Sequence, residues 1–300
     1  IVEKPTALKQ LADIPLWESA SRLGEALKAI DECDLIHLNG YIPDTSKPIE
    51  DELVRHCLES DKPILLHLHG GFQIWDGDRL LSLKEQCDVT VVSCCPHAPI
   101  TSEGSRWMPN LIAVSDSDEI WTHQKLFEPA TDWLERWPPK ILFQHAYTTG
   151  KDPDTIRWMA ERIKIDLGVD LDITLSCEPI PIHDFIQSKK SYDIVIDNIT
   201  QGFIGMAAWE SMAQGAVVLA RVDEFAQQAY TNLGSGEPPP IVQCRWIDEL
   251  ATNLMALIED RDRLIGLKQA GRDWMLKHYN AGKILGAWKS LYQEVADHKR

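Results

Sequence analysis

The sequence is poor in positive charge: 30 Lys and Arg stand against 46 Asp and Glu, a formal net charge of −16 at pH 7. A field of that sign repels phosphate polymers and anionic lipid, so nucleic acid or a membrane surface would need a local basic patch. No cluster of Lys and Arg offers one. Residues 1–137 carry 12 basic against 24 acidic residues and so hold −12 of the −16. The chain also lacks a C-x-x-C pair. Its seven cysteines (Cys33, Cys57, Cys87, Cys94, Cys95, Cys177 and Cys244) are odd in number and include a vicinal pair, which disfavours both a disulfide framework and a zinc site. They read as reduced, packed thiols. The longest apolar stretch, Ile194 to Ala220, is interrupted by Asp197, Asn198, Gln201, Glu210 and Gln214, each costly in hydrocarbon. No membrane span is expected, and a cytoplasmic location is. The chain begins at Ile1 without a charged-then-apolar leader, so its natural N-terminus is expected to have been cut or processed. Internal repeats and low-complexity tracts are missing as well.

What is present suits two folded cores. At 300 residues the chain is of two-domain length, and 44% hydrophobic residues supply enough apolar surface for both. Short β-branched runs alternate with segments of helical period, which argues for parallel sheets with crossover helices, an α/β class. Leu35–Leu38, Ile64–Leu68 and Val89–Val92 predict buried strands in the first half, with Ile49, Leu53, Cys57 and Leu58 on one helical face between the first two. Ile141–Phe143, Ile173–Leu175, Ile194–Ile196 and Ala216–Leu219 repeat the pattern, with helices near 155–167, 183–190 and 206–214. Pro129, Pro138 and Pro139, beside Trp133 and Trp137, bar a continuous helix and place the domain boundary near Pro139: residues 1–138, then 139–300. The Gly- and Pro-dense loop Gly234–Pro240 predicts either a mobile flap or a spacer. From Ile247 the pattern is helical, with Ile247, Leu250, Leu254 and Leu257 on one stripe, a further helix to Lys277 and a last one from about Ala281.

The most informative stretch runs from Tyr192 to Leu219. It predicts a strand ending at Asp197, a glycine-bearing loop, a helix from near Gly205 and a strand after Gly215. Such a turn aims the N–H groups of the helix start at the carboxyl end of the sheet, where a phosphate can bind. Gly202 and Gly205 permit close approach, and Gly215 fits a helix C′ position. Glu210, one and a half turns into the helix, can accept two hydroxyls, as from a ribose. The alternative is a purely structural βαβ unit with Glu210 solvated.

Asp197, Asn198, Gly202, Gly205, Glu210, Ser211, Met212, Ala213, Gly215, Ala216 and Val217 resemble the nucleotide-sugar signature of retaining GT-B glycosyltransferases of the group 1, family 4-like kind. Asn198 stands where glutamine is usual, and Gly202 where many relatives carry an acidic residue. Other segments are similar too: Asp34–Gly40, Lys62–Gly70, the turn Met108–Asn110 and the strand Ile141–Ala146. The resemblance implies two Rossmann-like domains facing across a cleft, a C-terminal helix returning to the first domain, and a hexosyltransferase with retention of anomeric configuration. The donor would be a nucleotide sugar, UDP- or GDP-linked, with no other cofactor.

Glu210 would bind its ribose, with Asp197, Gly202, Gly205, Met206 and Gly70 around the donor. His69, at the end of its strand, would contact the transferred sugar, and Lys151 would hold the diphosphate. His67 is read as structural, and His37 and His145 as strand-end residues able to line the cleft. The pairs Asp116-x-Asp118, Asp152-x-Asp154, Asp170-x-Asp172 and Asp260-x-Asp262 invite a metal. In the family a basic residue and helix-start amides replace it, so no metal is expected. Domain closure would hinge near Pro139 and on a return helix from Trp274 to Trp288. The acceptor is open among glycans, lipid-linked sugars, proteins and small molecules, with modified DNA less favoured. The segment before Asp34 looks helical where the family opens on a strand, so a reduced module that binds a nucleotide sugar or a partner without turnover is the alternative.

Overall fold

A computed structural model of the chain describes residues 27–39, 52–68, 77–97, 105–112, 127–144, 173–176 and 182–298, with isolated positions between 154 and 165. By contact density the chain divides into two units, Ile1–Pro109 with Gly286–Arg300, and Asn110–Leu285.

The first unit is a parallel sheet of order β1-β2-β3-β4, formed by Ile36–Asn39, Ile64–Leu68, Val89–Ser93 and Arg106–Trp107. All five residues of β2 are buried, as expected of a central strand covered on both faces. Helix α1 (Glu52–Glu59) turns Leu53, Val54 and Cys57 inward. There Leu53 and Cys57 join Ile30, Cys33, Ile36 and Ile64 in one cluster. Helix α2 (Gly77–Gln86) lays Leu80 and Leu83 on Leu66, Leu68 and Val91. Ile64, Leu66 and Leu68 alternate along β2 and so lie on one face of the sheet, which both clusters share.

The second unit is a parallel sheet of order β6-β5-β7-β8-β9: β5 is Ile141–Gln144, β6 Ile173–Ser176, β7 Ile194–Ile196, β8 Val217–Ala220 and β9 Val242–Gln243. Ile141 pairs with Ile194 and Phe143 with Ile196, while Ile194 pairs with Val217 and Ile196 with Leu219. These residues form one face of the sheet, packed on Leu250, Leu254, Leu257, Ile258 and Leu264. Leu142, Val195 and Ala216 form the other. The crossovers are α3 (Ile182–Lys189), α4 (Met206–Ala213) and α5 (Glu224–Leu233), and the chain closes with α6 (Ile247–Glu259), α7 (Arg261–His278) and α8 (Ala281–His298). The expected stripe along α6 is buried at Leu250, Leu254 and Leu257, with Ile247 partly so. The helix expected near 155–167 falls mostly outside the described residues.

Two expectations change. The proline-rich segment 127–140 packs on the second unit, and the division comes at Pro109 where the prolines had suggested Pro139. The cause is polar. Arg272 donates to the carbonyls of Phe127 and Ala213, and the Lys268 ammonium contacts Asp193 and the carbonyl of Trp133. Arg136 donates to Asp193 at 3.1 Å and to the carbonyl of Lys190 at 2.8 Å. Prolines stop helices, but they do not stop side chains from docking. Nor is the stretch Trp274–Trp288 one helix, because α7 ends at His278 and Asn280 caps α8 by accepting the N–H of Lys283.

The loop Gly234–Pro240 is tied down. Trp274 Nε1 donates to the carbonyl of Glu237, and the Glu237 carboxylate meets Lys277 and His278. Helix α8 begins in the second unit and continues into the first. In the first unit its Trp288 donates to the carbonyl of Pro109, its Tyr292 hydroxyl meets His37 Nδ1 at 2.9 Å, and its Glu294 pairs with Arg106. His37 and His67 both lie against the Trp288 ring, at centroid distances of 5.7 and 4.8 Å.

Candidate functional site

In the second sheet β5 has β6 on one side and β7 on the other. The strand order therefore reverses at β5, and in open α/β sheets such a point opens a crevice at the carboxyl ends of the strands. The turn that follows β7 stands there, and its own side chains build it.

Asp197 is fully buried, and its Oδ2 accepts the N–H of Gly205 at 2.6 Å. Asn198 Oδ1 accepts from the N–H groups of Thr200 and Gln201 and from the Thr200 hydroxyl, at 2.9 to 3.1 Å. A side chain that takes two following amides closes the turn locally. Gly202 has φ +80°, and a Cβ there would stand 2.6 Å from Asp223 Oδ2, so both conformation and space require glycine. The N–H of Ile204 is held by the Tyr230 hydroxyl at 3.2 Å. Gly205 is the N-cap of α4 in extended conformation, without a side-chain cap.

The N–H groups of Met206 and Ala207 have no acceptor among the described residues, and no acidic side chain sits in the first turn of α4. Unsatisfied amides and the positive end of the helix dipole together favour an anion there. Glu210 lies four residues after Met206, hence on the same face one turn further along. The neighbouring Trp209 points inward, against Tyr230, Trp274 and Tyr279 at centroid distances of 5.0, 5.7 and 4.9 Å, and this aromatic packing fixes the roll of the helix. At the far end Gly215 has φ +86° and a Cβ on it would overlap the Trp133 ring, the C′ glycine expected of the sequence.

The Glu210 carboxylate is largely buried and paired. Its Oε2 pairs with the ammonium of Lys189, the last residue of α3. Lys189 is absent from the sequence-derived site, for it lies 21 residues away and only the packing of α3 on α4 brings the two together.

Asp197, Gly202, Gly205, Met206 and Glu210 are thus assembled in one turn and helix. His69, Gly70 and Lys151 lie outside the described residues. Among the described residues no group of three or more His, Cys, Asp or Glu is placed to hold a metal ion. Of the spaced aspartates, Asp260 is the N-cap of α7, accepting the N–H of Arg263 at 2.9 Å. No helix among the described residues is long and apolar enough to cross a membrane.

At the level of sequence no family model matches the chain, and neither does any curated protein. Solved structures do match. Sucrose-phosphate synthase from Thermosynechococcus elongatus superposes with TM-score 0.60 at 17% identity, covering 94% of this chain and 80% of that one. Anabaena Alr3699/HepE in complex with UDP and glucose gives 0.59 at 12% identity, with 94% and 84% covered. An alpha-glucosyltransferase in complex with UDP-glucose and DNA containing an abasic site gives 0.61 at 12% identity, with 91% and 82% covered. The chain has the GT-B fold. Within this GT-B chain the described site lies wholly in the second unit.

Proposed function

We propose that the chain is a glycosyltransferase that moves a sugar from a nucleoside-diphosphate sugar to an acceptor hydroxyl, with UDP-sugar the first donor to try. The observation that carries this reading is the start of α4, where among the described residues the amides of Met206 and Ala207 are left without acceptors one turn from a glutamate on the same face. That arrangement suits a diphosphate at the helix start and a ribose beside Glu210. Two GT-B structures that resemble the chain were solved with UDP-glucose, which supports the choice of donor.

In the proposed reaction the acceptor oxygen bonds to the anomeric carbon while the bond from that carbon to the β-phosphate oxygen breaks. The acceptor proton and the nucleoside diphosphate leave. Negative charge grows on the departing phosphate, and fixed N–H dipoles at that point stabilise it without reorganising. Lys151 is proposed as the cation that completes this neutralisation without a metal, and His69 as the contact to the transferred sugar. Retention of configuration and a cytoplasmic setting belong to the same proposal. The acceptor stays open among glycans, lipid-linked sugars, proteins and small molecules, with modified DNA less favoured.

The test is a panel of UDP-, GDP-, ADP- and dTDP-sugars, followed by thermal unfolding and nucleotide release, for the wild type and Glu210→Ala, each against its own ligand-free melting temperature. A donor at a hundred times its Kd stabilises by ~2.7 kcal/mol. For a domain of this size that is a rise on the order of 5 °C. The expected outcome is one donor that stabilises the wild type and is slowly hydrolysed, with both effects lost in the variant. Binding without turnover across broad acceptor panels would favour the reduced module, and no binding at all would overturn the assignment of Gly205 and Glu210.

A further inference from the structure

We infer that Lys189 is a positioning residue for the nucleotide: it fixes the Glu210 carboxylate through Oε2 and leaves Oε1 as the acceptor for a ribose hydroxyl. The inference rests on the donor-binding reading above.

The Lys189 side chain is wholly inaccessible, whereas that of Glu210 keeps 11% of its surface exposed. The pair therefore meets solvent, and any ligand, only through Glu210. Among the described residues Oε1 has no hydrogen-bond partner. Below the ammonium lies the Phe185 ring, 4.3 Å from Nζ, so the lysine is set from both sides.

A simple clamp between α3 and α4 is the competing explanation. That task already has a device, since Gln214 Nε2 donates to the carbonyl of Ile186 at 2.8 Å and ties the end of α4 to α3. A buried ion pair is also a poor source of net stability, because desolvating both charges offsets their attraction. What the pair does supply is geometry. A glutamate with three free torsions loses rotamer freedom when it grips a ligand, and a side chain already held in place does not lose it again.

The experiment measures dissociation constants by calorimetry for UDP, GDP and ADP, each beside its 2′-deoxy form. The proteins are the wild type, Lys189→Met, Lys189→Arg, Glu210→Gln and the double variant Lys189→Met/Glu210→Gln. The wild type should bind one ribonucleotide at least tenfold tighter than its deoxy form. Lys189→Met should shrink that ratio to about threefold or less with little change for the deoxy form, and Lys189→Arg should restore part of it. In the double variant Lys189→Met should add no further loss to that of Glu210→Gln, since the lysine acts through the glutamate. The double variant leaves no buried charge alone, so it carries the comparison should Lys189→Met fail to fold. Full ribose discrimination in Lys189→Met, or additive losses in the double variant, would overturn the inference while leaving nucleotide binding intact. A wild type that binds none of the nucleotides would overturn the donor reading as well.

Discussion

Strand β7 has an aspartate beside each end, and the two ends are finished differently. At the amino end Asp193 is fully buried and saturated: it accepts from Arg136, from Lys268 at 2.6 Å and from the N–H of Lys140 at 2.9 Å. At the carboxyl end Asp197 takes the N–H of Gly205, while among the described residues the next two amides of α4 and one oxygen of Glu210 are left over. One end is a seal. The other keeps polar groups in reserve, as a binding site must, since a group already paired within the protein has little left for a ligand.

The sharpest way to break this comparison is to unseal the amino end. Lys268→Met strands part of the Asp193 charge and the carbonyl of Trp133, and breaking a buried pair costs about 3–5 kcal/mol. Burial already holds the Lys268 ammonium below its ordinary pKa, with Asp193 working against that shift. Urea unfolding should show a loss of about 3 kcal/mol with the nucleotide affinity of the folded protein unchanged. Weaker binding with unchanged stability would erase the distinction between the two ends.

A smaller effect concerns Cys244, at the edge of the same sheet. It is fully buried, and burial raises its thiol to about 11. At pH 8 it should resist a thiol reagent in the native protein and react on unfolding. Mass spectrometry of the labelled peptide checks this, and rapid native labelling would show the sheet edge to be open.

The smallest effect belongs to Glu237, which Lys277 first and His278 second hold below the ordinary carboxylate range. A carboxyl with a lowered folded pKa stabilises above its unfolded value and loses that contribution as pH falls through the folded one. Stability should fall at this site only below about pH 4. Glu237→Gln should flatten the acid limb of a melting-temperature profile by roughly a degree, and a slope persisting between pH 6 and 8 would assign the loop a different anchor.

Much of this was readable from residue order. β7 begins and ends where its apolar run does, and β2 spans a run that only His67 interrupts, because a strand buried on both faces writes itself as a largely apolar segment. Gly202 and Gly215 carry positive φ, and Asp197 meets Gly205 because the two close one local turn. β4 and β9, of two residues each, are too short to show a period. α5 is missing from the sequence reading because its polar composition, Glu-Phe-Ala-Gln-Gln-Ala-Tyr-Thr-Asn-Leu, buries only Ala226 and Tyr230. Lys189 with Glu210 and Lys268 with Asp193 are 21 and 75 residues apart, and no sequence period reports a contact made through packing. The domain boundary went astray for the same reason, since Arg272 and Lys268 reach back from α7 to hold a segment that prolines alone made look like a linker.

The most direct test of the central claim is to remove one reserved amide and leave the helix intact. Proline at the first helical position is tolerated, and it needs an extended residue before it. Gly205, at φ −83° and ψ 171°, already provides one. Met206→Pro should therefore fold with a melting temperature within a few degrees of Met206→Ala, the control for the side chain. Its affinity for the nucleoside diphosphate that the wild type binds should fall roughly tenfold or more, the equivalent of one hydrogen bond to a charged group at ~1.5–3 kcal/mol. A folded Met206→Pro that binds as tightly as Met206→Ala would place the diphosphate elsewhere and contradict the account.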